Sequence, residues 1–368
     1  MEERLIIEQF DPDRPKPGGI DTCIRGLISY APDNLLFRVV GVDALGNKAL
    51  GRWNECCLGG KNFLFMPVAR LDHANLRRTI PHSVNLALGI RRYLSGYVPK
   101  VVQTHRINMG AFALRAYPNS EHVQFLHSSG TQNLGKGSRS FFRHAVFAYR
   151  LLENYVIPRS REAIVFSRSG ADRLSATNNN VRFSPTWFDP ASFYPIPQPS
   201  PRRTSILWAC RIEPAKNPLL AIDTFNALPE HYSLTIAGSG TLEDEMRAAA
   251  ARSPAASRIK FLGAVPKEKM GDLMREHDIL LMTSRFEGFS RSIVEALACG
   301  LPVVTTPGGE PNGLIVDGVN GARAETDDAQ VLAAAFDRLE LASREAVLDS
   351  VRDLSAATIV PSLLSAVV

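Results

Sequence analysis

The chain has 368 residues, of which 45% are hydrophobic and 21% are charged, and its formal net charge is +5. This length suits two domains, and the composition is typical of a soluble globular protein. No apolar run reaches the roughly 18 residues that span a bilayer. The N-terminus, MEERLIIEQF, lacks the basic start and the apolar segment of a signal peptide, so we expect a cytoplasmic protein.

Charge is distributed unevenly along the chain. Residues 1–200 hold 25 Lys and Arg against 15 Asp and Glu, whereas residues 201–368 hold 17 against 22. This asymmetry predicts two domains with different partners. No recognised nucleic-acid-binding motif accompanies the basic half, so we expect an anionic ligand or an anionic membrane surface rather than nucleic acid.

The cysteines are odd in number and show no CxxC spacing. This pattern argues against a disulfide framework and against a zinc site, and we interpret them as buried reduced thiols. They are Cys23, Cys56, Cys57, Cys210 and Cys299.

In chain order, the first half alternates between predicted strands and helices. The strands are RLIIEQF, FRVVGV, KVVQTH, HVQFLH and EAIVFS, and the helices are IDTCIRGLISYA, SVNLALGIRRYL and SFFRHAVFAYRLLENYV. A proline-rich stretch at 186–203 follows, which neither a helix nor a central strand tolerates, and we interpret it as a linker.

The second half alternates more regularly. The runs TSILWAC, YSLTIAG, RIKFLG, DILLMTS and LPVVTT are separated by helical segments. Nearly continuous apolar runs indicate strands buried on both faces, and the alternation predicts a parallel sheet. We therefore predict an α/β fold of two Rossmann-like, doubly wound parallel-sheet domains, residues 1–185 and 204–353, facing across a cleft. The C-terminal helix, at about 354–368, is expected to pack back on the first domain.

Charged residues and glycines follow the predicted strands of the second half. Because the carboxyl ends of parallel strands meet at one edge of the sheet, these residues should line a common rim. Cations and free helix amides favour phosphate, and carboxylates accept hydrogen bonds from vicinal hydroxyls, so the set favours a nucleotide diphosphate sugar. The residues are Arg211, Lys216, Gly238, Ser239, Gly240, Gly263, Glu287, Gly288, Gly308, Gly309 and Glu310.

Glu295 supports two interpretations. The spacing from Ser292 to Glu295 fits a capping box, in which the carboxylate reaches back to a helix-end amide. Alternatively, Glu295 belongs to the ligand rim, because the short helix that follows Ser290 points its free amides and positive dipole end there.

The stretch RFEGFSRSIVEALACGLPVVTT resembles the retaining GT-B glycosyltransferases of family 4, also called group 1. Its Glu287 and Glu295, with seven residues between them, match the signature of that family. CRIEPAKNP, LTIAGSGTLEDEM and IVDGVNG resemble further loops of the family. In the first half, KPGGIDT and VQFLHSS resemble its Gly-Gly loop and a strand that ends in histidine, and FDPASFYP resembles its linker segment.

The resemblance implies roles for individual residues. Arg211 and Lys216 would hold the diphosphate of the donor, and Glu287 would bind hydroxyls of the transferred sugar. Glu295 would bind the ribose, and His127 would lie near the sugar. The remaining donor-binding residues would be Gly18, Gly19, Gly263, Gly288, Phe289 and Ser290.

The implied activity is the transfer of a hexose-type sugar from a UDP- or GDP-sugar, with retention of configuration, to a glycan or lipid-linked acceptor. The leaving diphosphate would deprotonate the acceptor in an oxocarbenium-like transition state, without a metal or another cofactor. Surface polysaccharide or glycolipid synthesis is the expected pathway, at the inner face of the membrane. Sugar-nucleotide epimerisation, or sugar-nucleotide binding without turnover on the same fold, is the alternative.

Three departures from the family pattern bear on donor choice. Thr186-Trp187 replaces an Asn-Gly in the linker, Asn312 replaces a glutamate, and Arg291 stands where a small apolar residue is frequent.

The basic segment 135–161 mixes arginines with aromatic residues and also supports two interpretations. It is either an interfacial helix that docks on anionic lipid or an amphipathic core helix with snorkelling arginines.

Overall fold

The computed structural model describes residues 2–16, 18–71, 81–127, 146–197 and 204–365. The chain forms two compact units, one of residues 1–184 and 360–368 and the other of residues 185–359. Among the described helices, none combines the length and the apolar character needed to span a bilayer.

The first unit contains an eight-stranded sheet in the described part of the chain, with the order β3-β4-β2-β1-β5-β6-β7-β8. The strands are β1 (Glu2–Ile7), β2 (Leu35–Asp43), β3 (Asn54–Leu58), β4 (Lys61–Arg70), β5 (Val101–Thr104), β6 (Glu121–Leu126), β7 (Glu162–Val165) and β8 (Val181–Phe183). The helices are α1 (Gly19–Ser29), α2 (His82–Tyr93), α3 (Ile107–Ala116), α4 (Val146–Val156) and α5 (Arg168–Ser175). All neighbouring strands run parallel except β3, which pairs antiparallel with β4.

The second unit contains a parallel six-stranded sheet in its described residues, with the order β11-β10-β9-β12-β13-β14. The strands are β9 (Ser205–Ala209), β10 (Ser233–Ala237), β11 (Ile259–Gly263), β12 (Ile279–Met282), β13 (Val303–Thr305) and β14 (Gly321–Arg323). The helices are α6 (Pro218–Asn226), α7 (Glu243–Arg252), α8 (Lys267–Arg275), α9 (Arg291–Ala298), α10 (Ala329–Ala334) and α11 (Arg344–Asp349), and α12 (Ala356–Ser365) runs from this unit into the first. The predicted α/β class with two parallel-sheet domains is thus confirmed.

Buried apolar residues cover both faces of the second sheet. One cluster centres on Trp208 and Phe225, and the other on Leu280 and Leu297, all at most 1% exposed. Burial on both faces explains why these strands read as continuous apolar runs in the sequence.

The limits of the predicted linker and domains stay predictions. Trp187 and Phe193, within the proline-rich stretch, are buried, and Phe188 forms a β-bridge with Ser355 in the second unit. Beyond residue 359 the chain is part of the first unit, where Arg182 donates a hydrogen bond of 3.2 Å to the Leu363 carbonyl.

The structure corrects the interpretation of the cysteines. Cys23 and Cys299 are buried, but Cys56 and Cys210 are half-buried and Cys57 is exposed. Cys56 and Cys57 lie on β3, an edge strand, where alternate side chains point to solvent. Apolar neighbours in the sequence therefore do not imply burial at an edge.

Candidate active site

The loop after β9 carries both predicted cations. Pro214–Lys216 forms a 3-10 turn, and Asn217 then adopts a left-handed conformation with φ of 48° before α6 begins. Thr283 Oγ1 donates to the Lys216 carbonyl at 2.9 Å, and the Arg285 amide donates to the Ala215 carbonyl at 2.9 Å. These bonds join the β9 loop to the loop that follows β12.

Lys216 and Glu287 form an ion pair within this junction. Their side chains are only 20% and 16% exposed, and Ser284 Oγ donates to the same Glu287 oxygen at 2.8 Å. Burial lowers the pKa of Lys216, but the nearby Glu287 carboxylate outweighs it, and the net shift is upward. The sheet topology thus brings together a cation and a carboxylate that are 71 residues apart.

Arg211 lies close enough to Lys216 to lower its pKa by charge repulsion, although burial and Glu287 act more strongly. The Arg211 side chain is exposed. Among the described residues it makes no ion pair or side-chain hydrogen bond. It is therefore available to an anionic ligand beside the Lys216–Glu287 pair.

The glycine turns bring the neighbouring loops together. The Gly238 amide donates to the Gly263 carbonyl at 2.8 Å, and the Ile212 amide donates to the Ser239 carbonyl at 3.0 Å. A Cβ atom on Gly238 would overlap the Cys210 carbonyl oxygen. Gly238 therefore serves close packing of two backbone segments at this edge of the sheet.

Helix α9 begins at Arg291, with Ser290 at its N-cap and no side chain capping it. The capping-box interpretation of Glu295 is wrong, because Ser292 is already the second helical residue and no helix-end amide bonds to the Glu295 carboxylate.

Glu295 is a half-buried carboxylate inside the second unit. Burial raises its pKa to about 7, although Arg291 and Lys267 oppose this shift. Within the described chain, no side-chain hydrogen bond satisfies the carboxylate. Such a group has unused capacity to accept hydrogen bonds from a ligand.

Two of the residues that depart from the family pattern contact each other. Arg291 Nη1 donates to the Trp187 carbonyl at 2.9 Å, and the guanidinium lies 5.0 Å from the centroid of the Trp187 ring. The start of α9 is thus attached to the segment that the sequence predicts as a linker.

Sequence reasoning missed the structural role of Glu310. This carboxylate is 2% exposed and accepts hydrogen bonds from the backbone amides of Asn312 and Leu314, both at 2.8 Å. Asn312 in turn donates to the Gly288 carbonyl at 2.6 Å. Glu310 therefore organises the loop after β13, rather than offering its carboxylate to the rim.

In the first unit, Gly18 and Gly19 open α1 and line a cavity of about 220 Å³. Gly18 has a φ of 149°, which disfavours any side chain. Glu8, also at the cavity, is 2% exposed; one carboxylate oxygen accepts from Arg106 Nε at 2.7 Å, and the other has no partner in the described residues. Lys16 also lines the cavity, and burial lowers its pKa.

His127 follows β6 in the first unit, and its Nε2 lies 2.9 Å from Nδ1 of His105. Of the predicted site residues, the structure places Gly18, Gly19 and His127 in the first unit. It places Arg211, Lys216, Gly263, Glu287, Gly288, Phe289, Ser290 and Glu295 in the second.

Residues 197–349 match the protein family described as "Glycosyl transferases group 1". The chain is 32% identical to the amylovoran biosynthesis glycosyltransferase AmsK of Erwinia amylovora over 151 residues. The aligned residues cover 39% of this chain and 37% of AmsK. Over 198 residues it is 26% identical to a D-inositol 3-phosphate glycosyltransferase of Xylanimonas cellulosilytica, covering 48% of each protein. The chain thus matches less than half of the length of either relative.

Solved structures resemble the whole chain. A sucrose-phosphate synthase from Thermosynechococcus elongatus superposes with a TM-score of 0.81 at 17% identity, covering 100% of this chain and 98% of the other. HepE from Anabaena, solved with UDP-glucose, superposes with a TM-score of 0.73 at 18% identity, covering both chains completely. The fold is the GT-B fold of glycosyltransferases. The predicted resemblance to the group 1 glycosyltransferases is confirmed, and the match lies on the second unit.

Proposed function

We propose that the protein is a retaining glycosyltransferase that moves a hexose-type sugar from a UDP- or GDP-sugar to a glycan or lipid-linked acceptor. The observation that carries this proposal is the largely buried Lys216–Glu287 pair beside the exposed Arg211, at the carboxyl edge of a parallel sheet. One site then offers cations for a diphosphate and a carboxylate for sugar hydroxyls.

In this proposal the ion pair opens when the donor binds. Lys216 donates to a phosphate oxygen, and Glu287 keeps its bond from Ser284 while its other oxygen accepts from the sugar. Arg211 stabilises the negative charge that grows on the leaving diphosphate. This electrostatic stabilisation needs no metal ion or other cofactor, because both cations are already present at the rim.

Glu295 is assigned to the ribose hydroxyls. Its carboxylate lacks a side-chain hydrogen bond in the described structure, and two hydroxyls would compensate for its burial. The uncapped start of α9 supports the same assignment, since its amides and dipole favour the adjacent phosphate.

A donor screen tests the proposal. Unfolding temperature is measured with UDP-, GDP-, ADP- and dTDP-sugars, because a ligand that binds the native state raises stability by mass action. A UDP- or GDP-sugar should raise the transition temperature of wild type and not that of Lys216→Met. No shift with any of the four donors at millimolar concentration would contradict the proposal.

Turnover distinguishes the alternatives. Isotope-labelled sugar that appears in a saccharide acceptor identifies a transferase, and the anomeric proton coupling of the product reports retention. A labelled epimer that stays on the nucleotide identifies an epimerase. Binding without either product identifies a protein that only binds the donor.

We further propose that the acceptor is presented at an anionic membrane surface. Two helices of the first unit that pack against α3 carry exposed apolar residues next to arginines. They are Val84, Leu88, Arg91 and Arg92 on α2, and Phe147, Arg150 and Leu151 on α4. Phe147 is 74% exposed and Leu151 is 54% exposed, which suits an interfacial face. Residues 135–145 of the basic segment lie outside the described residues. The names of AmsK, a glycosyltransferase of amylovoran biosynthesis, and of VipC/TviE, a Vi polysaccharide biosynthesis protein of Salmonella typhi, support a role in polysaccharide synthesis.

Vesicle co-sedimentation tests this surface. The wild-type protein should sediment with vesicles that contain 30% anionic lipid, and moderate salt should dissociate it from them. It should not bind vesicles of neutral lipid. Phe147→Ser combined with Leu151→Ser should weaken binding, whereas Val316→Ser, an exposed apolar residue of the second unit, should not. Equal binding by all three proteins would exclude α4 as the contact.

A further inference from the structure

The cavity of the first unit lies where the chain reverses the direction in which it extends the sheet. Strands β2, β4 and β3 extend the sheet on one side of β1, and β5 to β8 extend it on the other. Glu8, which directly follows β1, and Arg106, which lies two residues after β5, both line the cavity. Ligands of parallel α/β sheets bind beyond the carboxyl ends of the strands at such a switch point.

The second unit has a similar arrangement at its own switch point. Strand β9 lies between β10 and β12, and the ion pair there joins Lys216, after β9, to Glu287, after β12. In the first unit the ion pair joins Glu8, after β1, to Arg106, after β5. Each unit therefore places a carboxylate and a cation where its own sheet would hold a ligand, and the first unit is a candidate binding site by itself.

Glu8 is a buried carboxylate with unused capacity to accept hydrogen bonds. Its Oε1 accepts from the Gln9 amide at 2.9 Å and from Arg106 Nε at 2.7 Å. Its Oε2 is shielded from solvent and has no hydrogen-bond partner among the described residues, which is costly for a buried polar atom. The terminal torsion of glutamate is soft, so this oxygen can turn toward a donor in the cavity. Ligand hydroxyl groups are such donors.

The charges that line the cavity favour an anion. Asp21 accepts from Arg25 Nε at 2.7 Å, and Glu8 is paired with Arg106, so both carboxylates have a cation beside them. Lys16 donates to a backbone carbonyl at 3.0 Å and forms no ion pair within the described part of the chain. Burial lowers the pKa of Lys16 more than the surrounding carboxylates raise it. One positive charge is thus left without a close counter-charge.

Helix α1 adds free amides to the same cavity. Its first residue is Gly19, and no side chain caps it at Gly18. A Cβ atom on either glycine would meet nothing within 4 Å, so open space adjoins the backbone there. The first amides and the dipole of a helix bind phosphate. Arg106 Nη1 and Nη2 make no hydrogen bond to the described residues, and this side chain is 44% exposed, so it offers further donors.

The volume of the cavity limits the ligand to about one sugar unit. It measures about 220 Å³, below the roughly 300–1,000 Å³ of pockets for drug-sized ligands. We propose that the cavity binds a sugar that carries a phosphate. Glu8 accepts from a sugar hydroxyl, and Lys16, Arg106 and the first amides of α1 bind the phosphate.

Binding in this cavity depends on the first unit alone, whereas the ligand's role as the acceptor rests on the proposed function. A free sugar phosphate and the headgroup of a lipid-linked sugar offer the same chemistry. The experiments below separate these two sources.

Glycine amide shifts locate the ligand. Full-length protein labelled with ¹⁵N-glycine is titrated with glucose 1-phosphate, galactose 1-phosphate, mannose 1-phosphate and glucose 6-phosphate, and the Gly19 peak is assigned from its loss in Gly19→Ala. At least one hexose phosphate should move the Gly19 amide proton downfield. It should bind about tenfold more tightly than inorganic phosphate or glucose, because it makes both kinds of contact. No movement of Gly19 with any of the four would contradict the proposal.

Two variants separate the hydroxyl contact from the phosphate contact. Glu8→Gln should weaken binding of the hexose phosphate about tenfold and change that of inorganic phosphate less than about threefold. Lys16→Met should weaken binding of both ligands about tenfold. Lys61→Met, which changes a lysine at the amino end of β4, should affect neither.

Glu153→Gln is the matched control for the buried carboxylate. The Glu153 side chain is 3% exposed and pairs with Arg173, and neither residue lines the cavity. This variant should lower the free energy of unfolding without changing either affinity. Equal effects of Glu8→Gln and Glu153→Gln on hexose phosphate binding would overturn the role of Glu8. If Glu8→Gln does not fold, Lys16→Met and the wild-type affinities still test the site.

Competition and turnover complete the test. UDP that moves the Gly19 amide and displaces the hexose phosphate would assign the cavity to the donor and overturn the proposal. With labelled donor, product in the aqueous phase identifies a free sugar phosphate as acceptor, and product in the organic phase identifies an isoprenyl diphosphate sugar. Turnover only onto saccharides without phosphate would overturn the acceptor role. Hexose phosphate bound at Gly19 in a protein that neither binds nor turns over any nucleotide sugar would refute the proposed function and leave the site intact.

Discussion

Replacing Glu295 with Gln should stabilise the protein at pH 8 and weaken donor binding. Burial raises the pKa of this carboxyl from 4.5 to about 7. A raised acid pKa means that the folded state holds the proton more tightly, so stability falls as pH rises from about 4.5 to about 7. A difference of about 2.5 pKa units corresponds to about 3 kcal/mol above pH 7. Because the side chain is only half-buried, solvent screening reduces this to about 1–3 kcal/mol.

The assay is the free energy of unfolding by urea at pH 5 and pH 8. Glu295→Gln should gain about 1–3 kcal/mol over wild type at pH 8 and well under half of that at pH 5. Glu268→Gln, which changes an exposed carboxylate in the same unit, should follow wild type at both pH values. A gain that does not depend on pH would refute the reasoning, because the variant would then act through something other than the buried charge. A saturating donor should narrow the gap between the two proteins, since ribose hydroxyls would compensate the wild-type carboxylate.

Three further variants test separate parts of the second unit. Arg211→Ala should lower kcat/KM for the donor by a factor that corresponds to about 2–4 kcal/mol of transition-state stabilisation, with little change in the free energy of unfolding. A decrease in kcat/KM of less than about threefold would exclude contact between Arg211 and the leaving phosphate. Gly308→Ala should cost about 1–3 kcal/mol of stability, because its Cβ would overlap the Arg285 carbonyl, whereas Gly19→Ala, with nothing within 4 Å, should unfold like wild type. Glu310→Gln should lower the free energy of unfolding in urea by about 1–3 kcal/mol, because a glutamine amide cannot accept all the backbone hydrogen bonds that this carboxylate accepts. An unchanged urea midpoint would show that these hydrogen bonds do not stabilise the loop after β13.

The fold of the second unit was predictable because its strands alternate regularly with helices and are buried on both faces. The first unit was harder to predict at its edge. The hairpin of β3 and β4 turns at Gly59-Gly60, with φ of 56° and 77°, and a Gly-Gly pair between two apolar runs is a hairpin signal that we overlooked. Helix α3 also escaped prediction, since its INMGAFALRA sequence is apolar on most sides and lacks a clear polar stripe.

The sequence predicted which loops form the site, but not which side chains contact one another within it. Parallel strands place Lys216 and Glu287 on one edge, so their proximity follows from topology alone. Topology does not predict that Ser284 also donates to the Glu287 carboxylate, because this hydrogen bond depends on the side-chain direction of a single residue after β12. Glu310 was assigned to the rim for the same reason that Glu287 was. Nothing in the sequence distinguishes a carboxylate that points at its own loop from one that points outward.

The residues that depart from the family pattern make contacts around the start of helix α9. Arg291 at the start of α9 bonds to Trp187, and Asn312 bonds to the carbonyl of Gly288 just before the same helix. Both contacts restrain Gly288 to Arg291, the segment whose amides are proposed to meet the sugar and phosphate. Each substitution would remove a restraint on the same four-residue segment, so under the proposed function their effects on donor preference should not be additive. Under the proposed function, we therefore attribute donor choice to the position of that segment and not to any one side chain in it. A double-mutant cycle of Arg291→Ala and Asn312→Ala on kcat/KM for UDP- and GDP-sugars would measure the coupling, and strictly additive effects would argue against it.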